Sequence, residues 1–232
     1  MNYTYALITA RKNSKGIKNK NLKKIGNYSL IELAEKNYRK ISQIKKIFIS
    51  SDSRKILNKT SRETIKILRP RNISNDNSKS EQVVFHFLRW IKKNNIIFPN
   101  YLFIVQPTSP FVSKRNILKS LNLIKKKKCG SVTSIYQVPH KYNILNHRIS
   151  KKNNMTKFLY EKERKKKFNR QLKLDTFVHG NIFLINVKKF IKQKIILSIP
   201  NYAVKIKSFK EAIDIDTETD LKLARLIKKN KI

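Results

Sequence analysis

Two aspartates one residue apart, Asp214 and Asp216, and a run of cations, Arg11, Lys12, Lys15, Lys18 and Lys20, have types and spacings that could do chemistry. Carboxylates at alternate positions project to one face of an extended backbone. Beside a phosphate site, such a pair suits Mg²⁺, which takes one or two carboxylates, keeps several waters and shares substrate phosphate oxygens. The same two residues also precede an amphipathic stretch and could simply lead into and cap a helix. The cations come after an apolar run, Tyr5-Ala6-Leu7-Ile8-Thr9-Ala10, and share their polar turn with Ser14 and Gly16. Arg and Lys make strong charge-assisted bonds to phosphate. A turn of this kind at the carboxyl end of a buried strand is where open α/β folds hold phosphorylated ligands. It has neither the G-x-x-x-x-G-K-[ST] spacing nor the G-x-G-x-x-G spacing. It therefore points to a polyphosphate or another anion without saying which.

The elements that must position these groups are legible in the hydrophobic periodicity. Residues 29–41 carry Leu30, Ile31, Leu33, Ala34, Tyr38 and Ile41, the spacing of a helix with one buried face. Residues 46–51 and 64–68 read as strands, with Asp52 or Ser53 available to cap a helix after the first of them. Residues 71–79 are Asn- and Ser-rich and read as a loop, and 81–93 resume helical spacing. The most apolar strand is 101–105, which runs into Gln106-Pro107-Thr108-Ser109-Pro110, kept extended by its prolines. Ser113 caps a helix to 127, 131–136 is a strand, 182–185 a strand, 187–191 a short helix and 202–206 a late strand. Thr217 and Asp220 resemble a capping box ahead of Leu221, Leu223, Ala224, Leu226 and Ile227. Strands alternating with helices predict an α/β fold with a mostly parallel, doubly wound sheet. From 137 to 175 the alternation fails, and the segment reads as an insertion: a lid, a disordered loop or a partner surface.

The chain has 232 residues and a formal charge of +40, from 54 Lys and Arg against 14 Asp and Glu. That length suffices for one large α/β domain without a staple, and the lone Cys129 excludes an intrachain disulfide. The cations are mostly Lys, scattered among Asn and Ile, and runs such as 125–128 and 164–167 lack interleaved aromatics. A dedicated nucleic-acid stripe is therefore not expected. Non-specific adhesion to RNA that fades with salt is. With no cleavable leader and no apolar run of about 18 residues, a cytoplasmic protein without membrane contact is expected.

Four blocks of the chain together resemble one family. Arg11-Lys12-Asn13-Ser14-Lys15-Gly16 with Lys20-Asn21-Leu22, then Gln106 to Pro110, then Gly180 with Ile182-Phe183, and Asp214-Ile215-Asp216-Thr217-Glu218 are similar, in order, to motifs of the CMP-acylneuraminate (sialic acid) synthetases. These are sugar cytidylyltransferases that join CTP to a nine-carbon acidic sugar. The resemblance implies a single Rossmann-like nucleotidyltransferase domain over 1–232, working as a homodimer. It implies that 137–175 reaches a second subunit and helps to build the sugar site. Catalytic roles fall on Arg11, Lys20 and Asp216, and a catalytic Mg²⁺ on Asp214 and Asp216. Nucleotide contacts fall on Arg11, Ser14, Lys15, Gly16, Lys20 and Asn21. The regions around Arg69 and from Asp76 to Ser80 resemble cytosine and ribose contacts, although Arg69 read alone could be a surface residue before a proline. For the acidic sugar, the candidates are Gln106, Thr108, Arg170 and His179.

Departures from the pattern cluster on the sugar side. Phe111-Val112 stands where the family tends to carry a cation, Phe177-Val178 where a basic residue is usual, and His179 where Asn is usual. His179 is thus a sugar contact of a different kind or a histidine at the core edge. The CTP chemistry is left intact and the identity of the sugar open, with activation of the eight-carbon acid Kdo the nearest alternative. From another class, the alternative is a basic RNA-binding protein on a degenerate transferase fold.

Overall fold

The computed structural model describes residues 3–150, 152–167 and 169–229, the side chains of Lys152 and Arg170 excepted. In chain order its strands and helices are β1 (Thr4–Thr9), β2 (Lys24–Ile25), β3 (Tyr28–Ser29), α1 (Leu30–Arg39), β4 (Ile44–Ser51), α2 (Arg54–Leu57), β5 (Ile65–Leu68), α3 (Ser80–Lys93), β6 (Tyr101–Val105), α4 (Lys114–Lys127), β7 (Ser131–Gln137), β8 (Arg148–Ser150), β9 (Thr156–Phe158), α5 (Glu161–Lys166), β10 (Phe177–Asn186), α6 (Val187–Gln193), β11 (Asn201–Ile206), α7 (Phe209–Ala212) and α8 (Glu218–Lys229). Seven strands form the main sheet in the order β11-β7-β10-β6-β1-β4-β5. Only β10 runs antiparallel to its neighbours, so the expected mostly parallel sheet is what forms.

The run Tyr5 to Ile8 within β1 is unbroken in its apolar character because both faces of the strand are covered. Ala6 and Ile8 join one cluster, with Ile31, Ala34 and Tyr38 of α1 and Ile117, Leu121 and Ile124 of α4. Tyr5 and Leu7 join the other, with Val84, Phe87 and Ile91 of α3 and Phe190 of α6. From β1 the chain builds outward through β4 to β5 and then returns to place β6 on the other side of β1. The crevice outside the carboxyl ends of β1 and β6 is therefore the topological switch point, where open α/β sheets bind ligands.

A third cluster lies off the sheet. It packs Leu221, Ala224 and Ile227 of α8 against Leu30 and Leu33 of α1, and it takes in Ile17 from the cationic turn and Ile215 from between the two aspartates. The α8 start is capped as expected: Thr217 donates from its backbone N–H to Asp220 at 2.7 Å, and Asp220 donates back to the Thr217 hydroxyl at 3.3 Å.

Several elements differ from the sequence reading. α1 begins with a Ser29–Glu32 capping box that its apolar spacing concealed, the Ser29 N–H reaching Glu32 at 2.7 Å. Neither Asp52 nor Ser53 caps α2 through its side chain; Asp52 instead accepts the N–H of Lys12 at 2.7 Å and ties the cationic turn to the end of β4. β10 begins at Phe177, five residues before the apolar run that betrayed it. Its first half is held by pairing with β7, with a register irregularity between His179 and Phe183. The insertion is not structureless, since it contains the β8–β9 hairpin and α5.

One buried carboxylate ties α1 to the β5 edge. Glu35 accepts from the Ser61 N–H at 3.1 Å, the Thr64 hydroxyl at 2.6 Å and Arg39 at 2.5 Å. Burial pushes its pKa up, but the bonds from Ser61, Thr64 and Arg39 outweigh that and leave it below the ordinary glutamate value. A depressed folded pKa gives stability that is present at neutral pH and lost as pH falls through it. Glu35→Gln is expected to cost about 1–3 kcal/mol at neutral pH and to flatten the acid limb, read from urea midpoints at neutral and acidic pH.

Candidate active site

The switch-point crevice is a cavity of about 630 Å³. The cationic turn supplies Arg11, Ser14, Lys15, Gly16, Lys20 and Asn21 to its wall, and the end of β6 supplies Gln106, Pro107 and Thr108. Arg69, Asp76 and Ser80 line it from the β5–α3 connection, and Asp214 and Asp216 from the segment before α8. Residues about 200 positions apart in the chain thus share one cavity, as the sheet order requires.

The acidic segment is clamped between two other stretches. Ile215 donates its N–H to the Thr108 carbonyl at 2.9 Å. The Lys20 ammonium, 12% exposed, donates to the Ile215 carbonyl at 2.8 Å and to Asp216 at 2.7 Å. Ser109 donates weakly to Asp214 at 3.5 Å. Ile215 is fully buried while Asp216 keeps 71% of its side chain exposed. The alternation anticipated for an extended backbone therefore turns both carboxylates to the cavity and the isoleucine to the core. Gly16 passes so near this segment that a Cβ would lie 2.1 Å from the Asp216 carbonyl oxygen.

Asn21 is buried and donates from its amide to the Arg11 carbonyl at 2.9 Å, bracing the turn from within. Arg69 is 6% exposed, and its Nε has no hydrogen-bond partner. Burial lowers its pKa, Asp52 opposes that and Arg11 adds to it. A guanidinium stays charged regardless, so Arg69 brings a buried positive charge and a donor without a partner to the cavity wall.

One sequence candidate, His179, is not brought to this cavity. His179 is exposed on β10, its ring 5.9 Å from that of Phe183. Arg170 lies in a turn of the insertion, and its side chain lies outside the described residues. Two groups that periodicity could not find are Asp52, which anchors the turn, and Asp76, which pairs with Arg11 at 2.5 Å and Lys15 at 3.2 Å. The available signal for Asp76 was its isolation: it is the sole acid between Arg71 and Lys79.

A family model described as cytidylyltransferase matches residues 5–232. Among solved structures, CMP:2-keto-3-deoxy-manno-octonic acid synthetase complexed with CTP superposes with a TM-score of 0.72 at 11% identity, covering 99% of this chain and 100% of that one. The 4-diphosphocytidyl-2C-methyl-D-erythritol synthase of Anaerococcus prevotii gives 0.62 at 14% identity, covering 98% and 99%. The bifunctional IspDF of Campylobacter jejuni gives 0.61 at 14% identity, covering 95% of this chain and 53% of that one. At these identities the likeness is one of fold.

Because the Gly16 contact is with backbone, Gly16→Ala must push the turn away from the acidic segment. The expected outcome is a loss of polyphosphate affinity on the order of 10²-fold, the scale of a 1 Å misplacement, in calorimetric titration with inorganic tripolyphosphate. Far-ultraviolet dichroism is expected to stay unchanged.

Proposed function

The chain belongs to the cytidylyltransferase family, and on that premise we propose that it activates an acidic sugar of the nonulosonate type with CTP, giving CMP-sugar and pyrophosphate. The observation that carries the reading is the convergence of Arg11, Lys15 and Lys20 with Asp214, Asp216 and the unpartnered Arg69 on one cavity. A triphosphate needs several cations, a pyrimidine carbonyl needs buried donors, and these groups supply both in separate parts of the crevice.

In this reading the sugar hydroxyl attacks the α-phosphorus in line and pyrophosphate leaves, with catalysis chiefly by positioning and charge neutralisation. Arg11, Lys15 and Lys20 hold the phosphates and oppose the charge that grows on the leaving group. Ser14 and the backbone at Gly16 complete the turn around them, and Asn21 keeps Arg11 in place. Arg69 donates to the cytosine, with Ser80 beside it. Gln106 and Thr108, at the end of β6, face the sugar. Asp214 and Asp216 are the residues that would hold Mg²⁺, and the donor set fits: two carboxylates turned to the cavity, with phosphate oxygens and water left to complete an octahedron. When bound, the ion supplies charge neutralisation at the phosphates.

The sugar side rests on the insertion as well. Residues 137–175 and the stretch after them expose Tyr142, Met155, Leu172, Leu174 and Val178, of which Leu174 is 71% exposed. Such a concentration on one segment suits burial against a second copy, so a homodimer is part of the proposal, with Arg170 and His179 as sugar contacts completed there. Kdo is the second reading for the sugar. It stays open because Phe111, Val112, Phe177 and His179 depart from the sialic acid pattern.

Pyrophosphate release with CTP, Mg²⁺ and a panel of N-acylneuraminates and Kdo, against ATP, GTP and UTP, tests the reaction. CTP-dependent release with one acid is expected, and Asp216→Ala is expected to lower kcat on the order of 10²-fold or more. Full turnover in that variant would remove Asp216 from the metal site, and no binding of CTP would sink the reading. For the dimer, Leu174→Arg is expected to shift sedimentation toward the monomer and to weaken sugar-dependent turnover while CTP binding persists.

A further inference from the structure

Asp76 stands on the wall of the cavity, within the 71–79 loop. Its two carboxylate oxygens take different cations of the turn: one meets Arg11 Nη1 at 2.5 Å, the other Lys15 Nζ at 3.2 Å. These bonds, from Lys15 first and Arg11 second, hold its carboxyl below the usual carboxylate range. One carboxylate bridging two cations has the charge and the spacing of a phosphate group set between them. The cations it bridges are two of those assigned above to the triphosphate, so both partners cannot have them at full strength.

The loop has hydrogen bonds of its own that do not involve Asp76. The Asn75 N–H donates to the Ser78 hydroxyl at 3.0 Å, the Asn75 side-chain carbonyl accepts the Asn77 N–H at 3.1 Å, and the Ser74 hydroxyl donates to the Pro70 carbonyl at 2.8 Å. The tie to Arg11 and Lys15 is thus a separate contact between the loop and the turn, made at the cavity wall. Both cations and the carboxylate are well exposed, at 35%, 80% and 45%. Pairs that exposed are weak, and a ligand carrying several negative charges displaces them.

We propose that Asp76 is a resident anion that occupies the polyphosphate subsite in the absence of nucleotide, latching the 71–79 loop to the cationic turn until a triphosphate replaces it. This rests on the reading of Arg11 and Lys15 as triphosphate contacts. It makes Asp76 a positioning residue: it holds the two cations convergent and screened while the site is open. It also couples phosphate arrival to release of the loop that leads to Ser80 and α3. The opposite possibility is a permanent brace, in which Asp76 stays on Arg11 with phosphate bound and supports it.

Calorimetric titration of the full chain with inorganic tripolyphosphate separates the two, using wild type, Asp76→Asn and Asp76→Glu. The latch predicts that Asp76→Asn binds tripolyphosphate about three- to tenfold tighter, the scale of two exposed ion pairs, with a steeper salt dependence. Asp76→Glu, which keeps the carboxylate, stays near wild type. Hydrogen exchange adds a readout that a static brace does not move. In wild type, tripolyphosphate accelerates exchange of the 71–79 amides, whereas in Asp76→Asn they exchange fast before it is added. Equal or weaker binding by Asp76→Asn, or wild-type loop amides indifferent to tripolyphosphate, overturns the latch. If wild type turns over CTP yet either of these holds, the latch alone falls. If wild type binds neither CTP nor tripolyphosphate, the nucleotide reading falls with it.

Discussion

The backbone of the cationic turn runs so close to the backbone at Asp216 that a single added carbon would collide with a carbonyl oxygen. That approach is the constraint on which the candidate site depends. It is secured on one side by Lys20, whose nearly buried ammonium holds both the Ile215 carbonyl and the Asp216 carboxylate. It is secured on the other by Thr108, whose carbonyl takes the Ile215 N–H, and underneath by Ile17 and Ile215 in one apolar cluster. A desolvated ammonium with no acceptor is costly, and leaving one behind by removing its partner costs more. The clamp therefore closes as a unit, with α8 and α1 as its support.

Much of this was legible in the sequence, for a physical reason. The middle of strand β1, from Tyr5 to Ile8, is apolar because helices cover both of its faces, and alternation at Asp214-Ile215-Asp216 comes from the period of an extended chain. Both are local properties. The identity and order of the elements, and hence the switch point, derive from them. What stayed hidden is non-local. The first half of β10, from Phe177 to Asn181, has no strand-like pattern of its own and is extended because β7 offers it a ladder. Asp52 looked like a helix cap and instead reaches across to the backbone of Lys12. Asp76 opened a region that resembles cytosine and ribose contacts, and its pairing with Arg11 and Lys15 of the distant cationic turn had no local signal. Residues whose partners lie 40 or 65 positions away cannot be assigned from periodicity.

The charge balance acquires a sharper sense from the contacts. With 14 acids against 54 bases, carboxylates are scarce, and those described are mostly committed. Glu32 and Asp220 cap helices, Glu35 ties α1 to the β5 edge and Glu81 accepts the Ile196 N–H. Glu211 accepts from Asn116, and Asp175 from Gln137. The lysines, by contrast, crowd exposed positions such as the last turns of α4 and α8, where charge has little influence on the fold. Among so many bases, the described acids are thus mostly the ones that hold elements of the fold together.

The reversed direction of β10 has a consequence for how such a protein can change. Because β10 runs against β6 and β7, the chain enters the carboxyl edge of the sheet from the insertion and leaves it at the far end, where Asn186 accepts the N–H that starts α6. The register of β10 on β6 is set by its second half, from Phe183 to Asn186, well downstream of the insertion. Length and sequence between 137 and 175 are thereby insulated from the four strands that carry the cationic turn and its cavity. The fold leaves that segment free to change in length and sequence without moving the strands on which the cavity is built.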